Sequence, residues 1–109
     1  MDFSEYERKA RETAAYPRMG SNIFYPALGL AGEAGEVADK VKKIIRDDNE
    51  ILTPQRKDAL VKELGDVLWY VAALGNELGV SMEEIARINL EKLASRKDRR
   101  QINGEGDDR

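Results

Sequence analysis

Apolar residues recur every three or four positions along most of the chain, a spacing that predicts amphipathic helices. The pattern breaks at Pro17, at residues 47–49 and at Gly79, which divides the chain into four helices. No segment alternates apolar and polar residues as a half-buried strand does. The sequence therefore predicts an all-α, four-helix bundle-like subunit, formed by one domain over residues 1–97 and followed by a polar tail over residues 98–109.

Capping signals place the first two helices. Ser4 and Glu7 have the spacing of a capping box, and the first helix is expected to end at Pro17. Pro26 suits the first turn of a second helix, which ends in the polar residues 47–49.

The third and fourth helices have clearer start signals. Thr53 and Pro54 form an N-cap and first-turn pair, and Gly79 is suited to closing this third helix. Ser81 and Glu84 then have capping-box spacing at the start of a fourth helix, which extends to about residue 96.

The second and third helices contain the same motif, LAGEAGEVADKVKKI and, thirty residues later, LVKELGDVLWYVAAL. Each copy has two acids three residues apart, Glu33 and Glu36 in the first and Glu63 and Asp66 in the second. That spacing places each pair on one side of its helix. If the two helices pack antiparallel, the four carboxylates meet, and a cation is then needed to offset their repulsion.

Apolar stripes beside these acids predict the packing faces of the two helices. The stripes comprise Leu30, Ala34, Val37, Val41 and Ile44 in the second helix and Leu60, Leu64, Val67, Val71 and Leu74 in the third. The third helix also carries apolar residues outside its stripe, including Val61, Leu68, Trp69 and Ala72. Because this surface is wider than one packing face, a homo-oligomer is expected, either a dimer or a tetramer.

Composition narrows the chemistry. The chain has no His and no Cys, so any metal site must use oxygen ligands, which suit Mg²⁺, Mn²⁺ or Ca²⁺. The net charge of -3 argues neither for nor against nucleic acid. The N-terminal residues lack an apolar signal-peptide core, and no apolar run approaches the roughly 20 residues of a membrane span. A cytoplasmic protein without a membrane partner is expected.

The repeat is also compatible with a purely structural role. The acids of a duplicated helical hairpin could simply form ion pairs with Lys40, Lys42 or Lys62. Three glycines of the second helix, Gly29, Gly32 and Gly35, could serve close helix packing or leave room beside the carboxylates.

The fourth helix carries a second candidate set. Asn89, Lys92 and Arg96 are three and four residues apart, so they share one face of the helix. A carboxamide, an ammonium and a guanidinium group suit phosphate oxygens, although a solvated helix face has the same spacing. Trp69, Tyr70 and other aromatic residues are available to stack on a base.

Together these segments resemble the MazG-type nucleoside triphosphate pyrophosphohydrolases, which belong to an all-α superfamily. The family's E-x-x-E and E-x-x-D elements are matched by Glu33, Glu36, Glu63 and Asp66, and its asparagine–lysine–arginine element by Asn89, Lys92 and Arg96. The resemblance implies Mg²⁺-dependent hydrolysis of a (deoxy)nucleoside triphosphate to the monophosphate and pyrophosphate, in a dimer or tetramer.

Within that resemblance, the four acids are the expected metal ligands, and a metal-bound water attacks the α-phosphate. Glu36 and Glu33 are the candidate catalytic carboxylates, with Glu36 as the candidate base, while Asn89, Lys92 and Arg96 are expected to bind the substrate. Two alternatives stay open: a dUTP or dCTP pyrophosphatase of narrow specificity, and a helical adaptor without enzymatic activity that binds a partner or nucleic acid through the basic end of the fourth helix. Nucleic acid is not expected as a partner of the enzyme.

Overall fold

The computed structural model describes residues 1–98. This part of the chain forms four helices and no strand, which confirms the predicted all-α class. The helices are α1 (Phe3–Arg11), α2 (Phe24–Asp48), α3 (Pro54–Glu77) and α4 (Met82–Asp98). The predicted polar tail lies, apart from residue 98, outside the described residues.

The start of α1 differs from the expected capping box at Ser4. Asp2 is the N-cap, and its side chain accepts a hydrogen bond from the Glu5 amide at 2.8 Å. The carboxylate of Glu7 instead accepts a hydrogen bond from the amide of Met82, at the start of α4. The predicted capping box is therefore wrong, because Asp2 offers an equally good cap two residues earlier and Glu7 joins two helices. α1 also ends earlier than predicted, at Arg11.

α2 begins at a side-chain cap that the sequence patterns did not identify. Asn22 is buried, and its side-chain oxygen accepts hydrogen bonds from the amides of Phe24 and Tyr25 at 3.1 and 3.2 Å. Pro26 is fully buried in the first turn. The helix ends at Asn49, which adopts a left-handed conformation with φ 52°.

The predicted caps of α3 and α4 are confirmed. Thr53 accepts a hydrogen bond from the Arg56 amide at 3.2 Å, and Ser81 accepts one from the Glu84 amide at 3.0 Å. Gly79 follows α3 with φ 74°, the left-handed conformation expected of a glycine after a helix.

α2 and α3 form an antiparallel hairpin, and α1 and α4 pack against each other and against α3. The predicted packing stripes are only partly correct, because Ala34, Val41 and Leu64 are exposed. The buried and half-buried side of α2 includes Glu33 and Ile44. α2 carries apolar or small residues around most of its circumference, so its pattern does not specify one packing face.

The described chain is open and leaves much apolar surface uncovered. Its radius of gyration is 16.7 Å, whereas a compact domain of about 100 residues has a radius of about 13 Å. Among the described residues, the buried hydrophobic side chains are Tyr16, Ile44 and Met82, together with Pro26. Large apolar residues on every helix stay exposed, among them Phe24, Leu28, Val61, Leu64 and Leu90.

Candidate metal centre

The antiparallel hairpin brings together three of the four acids of the repeat. Glu33 of α2 and Glu63 and Asp66 of α3 each offer a carboxylate oxygen, and these oxygens all lie within 4.8 Å of one another. Glu33 and Glu63 are half-buried, and Asp66 is exposed. The two helices therefore contribute unequally, with one acid from α2 and two from α3.

Glu36, the fourth acid, is exposed and is not one of these three ligand candidates. It lies one turn beyond Glu33 on α2, and its charge still contributes to the raised pKa of Glu33. This position is at the edge of the cluster and not within it.

Crowding of like charges dominates the electrostatics of the cluster. The pKa of Glu33 is raised, mainly by a hydrogen bond shared with Glu63, then by burial and by the negative charges of Glu63, Asp66 and Glu36. Within residues 1–98, Lys40 pairs with one Glu63 oxygen at 3.2 Å, so one ammonium group is set against three carboxylates. The ion pair expected from a purely structural hairpin is thus present, but it leaves an excess of negative charge.

One oxygen atom of this cluster indicates that a cation can bind there. The second carboxylate oxygen of Glu63, Oε2, is buried and has no hydrogen-bond partner among the described residues. A buried carboxylate oxygen without a donor is costly, because it has lost its hydration without a replacement. Three carboxylates, one of them with an orphaned oxygen, are a donor set that fits a hard divalent cation.

Aromatic residues line the approach to the acids. An open cleft of about 280 Å³ is bordered by Glu33, Asp66, Trp69 and Tyr70. The rings of Trp69 and Tyr70 meet edge to face with centroids 5.0 Å apart, and the Trp69 indole donates a hydrogen bond to Thr13 at 2.8 Å. α3 and the segment that follows α1 thus fix the orientation of one wall of the cleft.

Gly29 fixes the position of Tyr70. A Cβ atom at residue 29 would overlap the Tyr70 ring, whereas a Cβ at Gly32 or Gly35 would meet no atom within 4 Å. Close packing therefore explains Gly29, and open space surrounds the other two glycines. The pKa of Tyr70 is raised by burial first and then by Tyr25 and by the nearby acids.

The charge of Asp66 also acts on Tyr6 of α1, an interaction that the sequence patterns did not indicate. Its pKa is raised by burial and by the charge of Asp66. Spacing alone could not have identified Tyr6, because α1 lies outside the repeat.

The predicted substrate-binding residues lie on α4. Asn89 is exposed, Lys92 is half-buried and Arg96 is buried, with 3% of its surface exposed. Within residues 1–98, α4 packs on α1 and α3 and makes no helix contact with α2. Because α2 and α4 do not touch within one chain, no direct contact between these two helices brings the three residues to Glu33.

Glu77, an acid of α3 outside the repeat, is half-buried and serves the fold. Its carboxylate accepts hydrogen bonds from the Tyr16 hydroxyl at 2.6 Å, the Gly20 amide at 2.7 Å and the Asn22 amide at 3.2 Å. These bonds tie the loop between α1 and α2 to the end of α3. Glu77 is therefore a structural anchor. Spacing along the chain could not predict this role, because its partners lie more than fifty residues away.

Comparison with known proteins indicates the family of this chain. Residues 26–101 match the MazG nucleotide pyrophosphohydrolase domain. The chain is 49% identical over 109 residues to the gene 37 protein of Mycobacterium phage L5, covering 95% of this chain and 96% of that protein. It is 38% identical over 104 residues to the uncharacterized protein YvdC of Bacillus subtilis (strain 168), covering 88% of this chain and 96% of that protein.

The chain therefore belongs to the MazG nucleotide pyrophosphohydrolase family. No solved structure matches it significantly. Within the described residues, no helix has both the length and the apolar character that crossing a membrane requires.

Proposed function

We propose that this protein is a Mg²⁺-dependent enzyme that hydrolyses (deoxy)nucleoside triphosphates to the monophosphate and pyrophosphate. The observation that carries the proposal is the group of three carboxylates with the orphaned Glu63 oxygen, in a chain of the MazG family. Mn²⁺ could take the place of Mg²⁺, because both prefer oxygen ligands.

Each acid has a proposed task. Glu33, Glu63 and Asp66 hold the cation, and Glu36 completes the set or binds at its edge. When bound, the divalent ion neutralises phosphate charge and polarises the phosphorus centre. Glu36, as an exposed carboxylate beside the cluster, is the candidate that accepts the proton of the attacking water, with Glu33 as the second candidate.

Asn89, Lys92 and Arg96 are proposed to bind the phosphate groups. A planar guanidinium and an ammonium group match phosphate oxygens in charge and geometry. Charge on the leaving pyrophosphate would be stabilised by Lys92 and Arg96.

Pyrophosphate release from a panel of common and damaged triphosphates, measured with and without Mg²⁺, tests the proposal. We expect turnover of at least one triphosphate, lost in the chelated protein and in Glu36→Gln and Asp66→Asn variants that keep their helical circular dichroism. Continued hydrolysis in both variants would contradict the assignment. One dominant pyrimidine substrate would instead identify a dUTP or dCTP pyrophosphatase of narrow specificity.

A thermal melt separates the enzyme from a helical adaptor. Mg²⁺ with a non-hydrolysable triphosphate should raise the melting temperature of the enzyme, because both ligands bind the folded state. Coincident melts, together with an inactive substrate panel, would favour the adaptor.

The proposed working form is a homo-oligomer, a dimer or tetramer. Its support is the exposed apolar surface of the described chain. The molar mass in solution, from light scattering, tests this part. A cytoplasmic location stays a prediction from the sequence.

A further inference from the structure

One lysine of α2 reaches across the hairpin to the acid cluster. Lys40 pairs with Glu63 of α3, and its Nζ atom lies 3.2 Å from Oε1 of the carboxylate. Both side chains are mostly shielded from solvent, with 29% of the lysine side chain and 14% of the glutamate side chain exposed. Partly buried charges are screened less by salt than surface charges, so this ammonium group acts on the cluster with little screening.

The other lysines of the same segment of α2 pair with a different acid. Lys42 and Lys43 lie 3.0 and 2.7 Å from the carboxylate oxygens of Asp39, within about one turn of the same helix. The Lys42 side chain is 65% exposed, so its pair with Asp39 is a surface contact. Asp39 thus engages two of the three lysines of this segment, and Lys40 makes the pair that crosses to α3.

The two carboxylate oxygens of Glu63 have different surroundings. Oε1 pairs with Lys40, whereas Oε2 is buried and has no hydrogen-bond partner among the described residues. A cation at Oε2 therefore does not have to displace the lysine, and the ammonium group stays beside the metal. Because like charges repel, the ion pair opposes the metal while it balances part of the negative charge of the acids.

We propose that Lys40 is a built-in counter-ion of the acid cluster, which stabilises the three carboxylates in the metal-free protein and weakens their affinity for the divalent ion. Lys40 acts on the metal through Glu63 and is a positioning residue, not a ligand. The affinity of the site is then set by this lysine as well as by the acids. The inference rests on the proposed metal site.

Binding of Mn²⁺ alone, measured from the electron paramagnetic resonance signal of the free ion, tests the effect without substrate or turnover. Lys40→Met keeps the length of the side chain and removes its charge. The full-length variant should bind Mn²⁺ more tightly than the wild type, on the order of tenfold at low salt. Lys40→Gln is a second neutral variant and should behave alike, whereas Lys40→Arg keeps the charge and should bind like the wild type.

Lys42→Met is the matched control. It removes the same charge from the same helix, and Asp39 keeps its pair with Lys43. Because Lys42 is exposed and pairs outside the cluster, the Mn²⁺ affinity of this variant should stay within about twofold of the wild type. An equal gain in Lys42→Met and Lys40→Met would mean that the net charge of the protein sets the affinity, which would overturn the proposal.

Thermal melts in a chelator give a second readout. Lys40→Met leaves the carboxylate of Glu63 without its ammonium partner, so the metal-free variant should melt several degrees below the wild type. Saturating Mg²⁺ should remove most of that difference, because the metal then balances the acids. Lys40→Arg and Lys42→Met should both melt like the wild type in the chelator.

Other binding results would contradict the proposal in distinguishable ways. Equal Mn²⁺ affinities of Lys40→Met and the wild type would remove the counter-ion role and leave the metal site in place. Weaker binding in Lys40→Met that is restored in Lys40→Arg would show that the ion pair orients Glu63 for the metal. A wild type that does not bind Mn²⁺ would overturn the proposed metal site and this inference with it.

Discussion

α3 carries two carboxylate sites that differ in the groups that balance their negative charge. Near its end, Glu77 accepts three hydrogen bonds from a hydroxyl and two backbone amides of its own chain. In its middle, Glu63 and Asp66 meet Glu33, and within residues 1–98 the ion pair of this cluster is that of Lys40 with Glu63. The first site is complete, and the second has an excess of charge.

The pKa directions express this difference. The pKa of Glu77 is lowered, chiefly by the hydrogen bond from Tyr16, because the donors favour the charged form. The pKa of Glu33 is raised, because its closest neighbours are acids. A carboxylate that serves the fold is supplied with donors by the fold, whereas the pairing of Glu63 with Lys40 leaves negative charge in the cluster to be balanced.

The largest expected effect is a difference in enzymatic activity between variants of the two sites. Glu63→Gln should reduce pyrophosphate release on the order of 100-fold or more, since a bound divalent ion contributes several kcal/mol to the transition state. The same substitution at Glu77 should leave the activity of the folded protein close to that of the wild type. Equal losses in steady-state assays of the two variants would remove the distinction between the sites.

Thermal stability, in contrast to activity, should depend on Glu77. Glu77→Gln replaces an acceptor oxygen by an amide group that faces N–H donors, so its melting temperature should fall by several degrees. Glu83→Gln, at an exposed position of α4, is the control and should melt like the wild type. A wild-type melting curve for Glu77→Gln would show that the loop does not depend on this anchor.

The anchor also predicts a pH window. Because the folded-state pKa of Glu77 is below its ordinary value of 4.5, its stabilisation is complete above that pH and is lost as the pH falls through the lowered pKa. The pKa of Tyr16 is raised to about 12 by burial and by Glu77, so its stabilisation is present below pH 10 and is lost as the pH rises toward 12. Urea unfolding of wild type and Glu77→Gln across pH should show a difference that shrinks at both limits. A difference that stays constant across pH would contradict this role of Glu77.

The smallest effect concerns the metal-free cluster. At neutral pH in a chelator and at low salt, Glu33→Gln should raise the melting temperature slightly, because one of three crowded charges is removed. Mg²⁺ should stabilise the wild type but give the variant little benefit. A lower melting temperature for metal-free Glu33→Gln would mean that the charge of Glu33 is already compensated.

The repetition of one motif made much of this protein predictable. Local signals gave the caps of α3 and α4, because Thr53 and Ser81 act within a few residues of themselves. The repeat predicted that Glu33, Glu63 and Asp66 come together, since an antiparallel helical hairpin can bring corresponding turns to one place. Composition restricted the metal ligands to oxygen atoms, a conclusion that needs no coordinates.

Other features depended on which surfaces meet, and spacing does not contain that information. α2 has apolar residues on several sides, so only packing against α3 decided that Glu33 lies inward while Val41 lies outward. Glu77 became an anchor because a loop more than fifty residues earlier in the chain folds back onto it. The sequence by itself thus determined the helices and the chemistry of their acids, which are local properties. The tertiary structure decided which side chains are buried, how the charges of the acids are balanced and which apolar residues of α2 stay exposed. Each of these depends on contacts between distant parts of the chain.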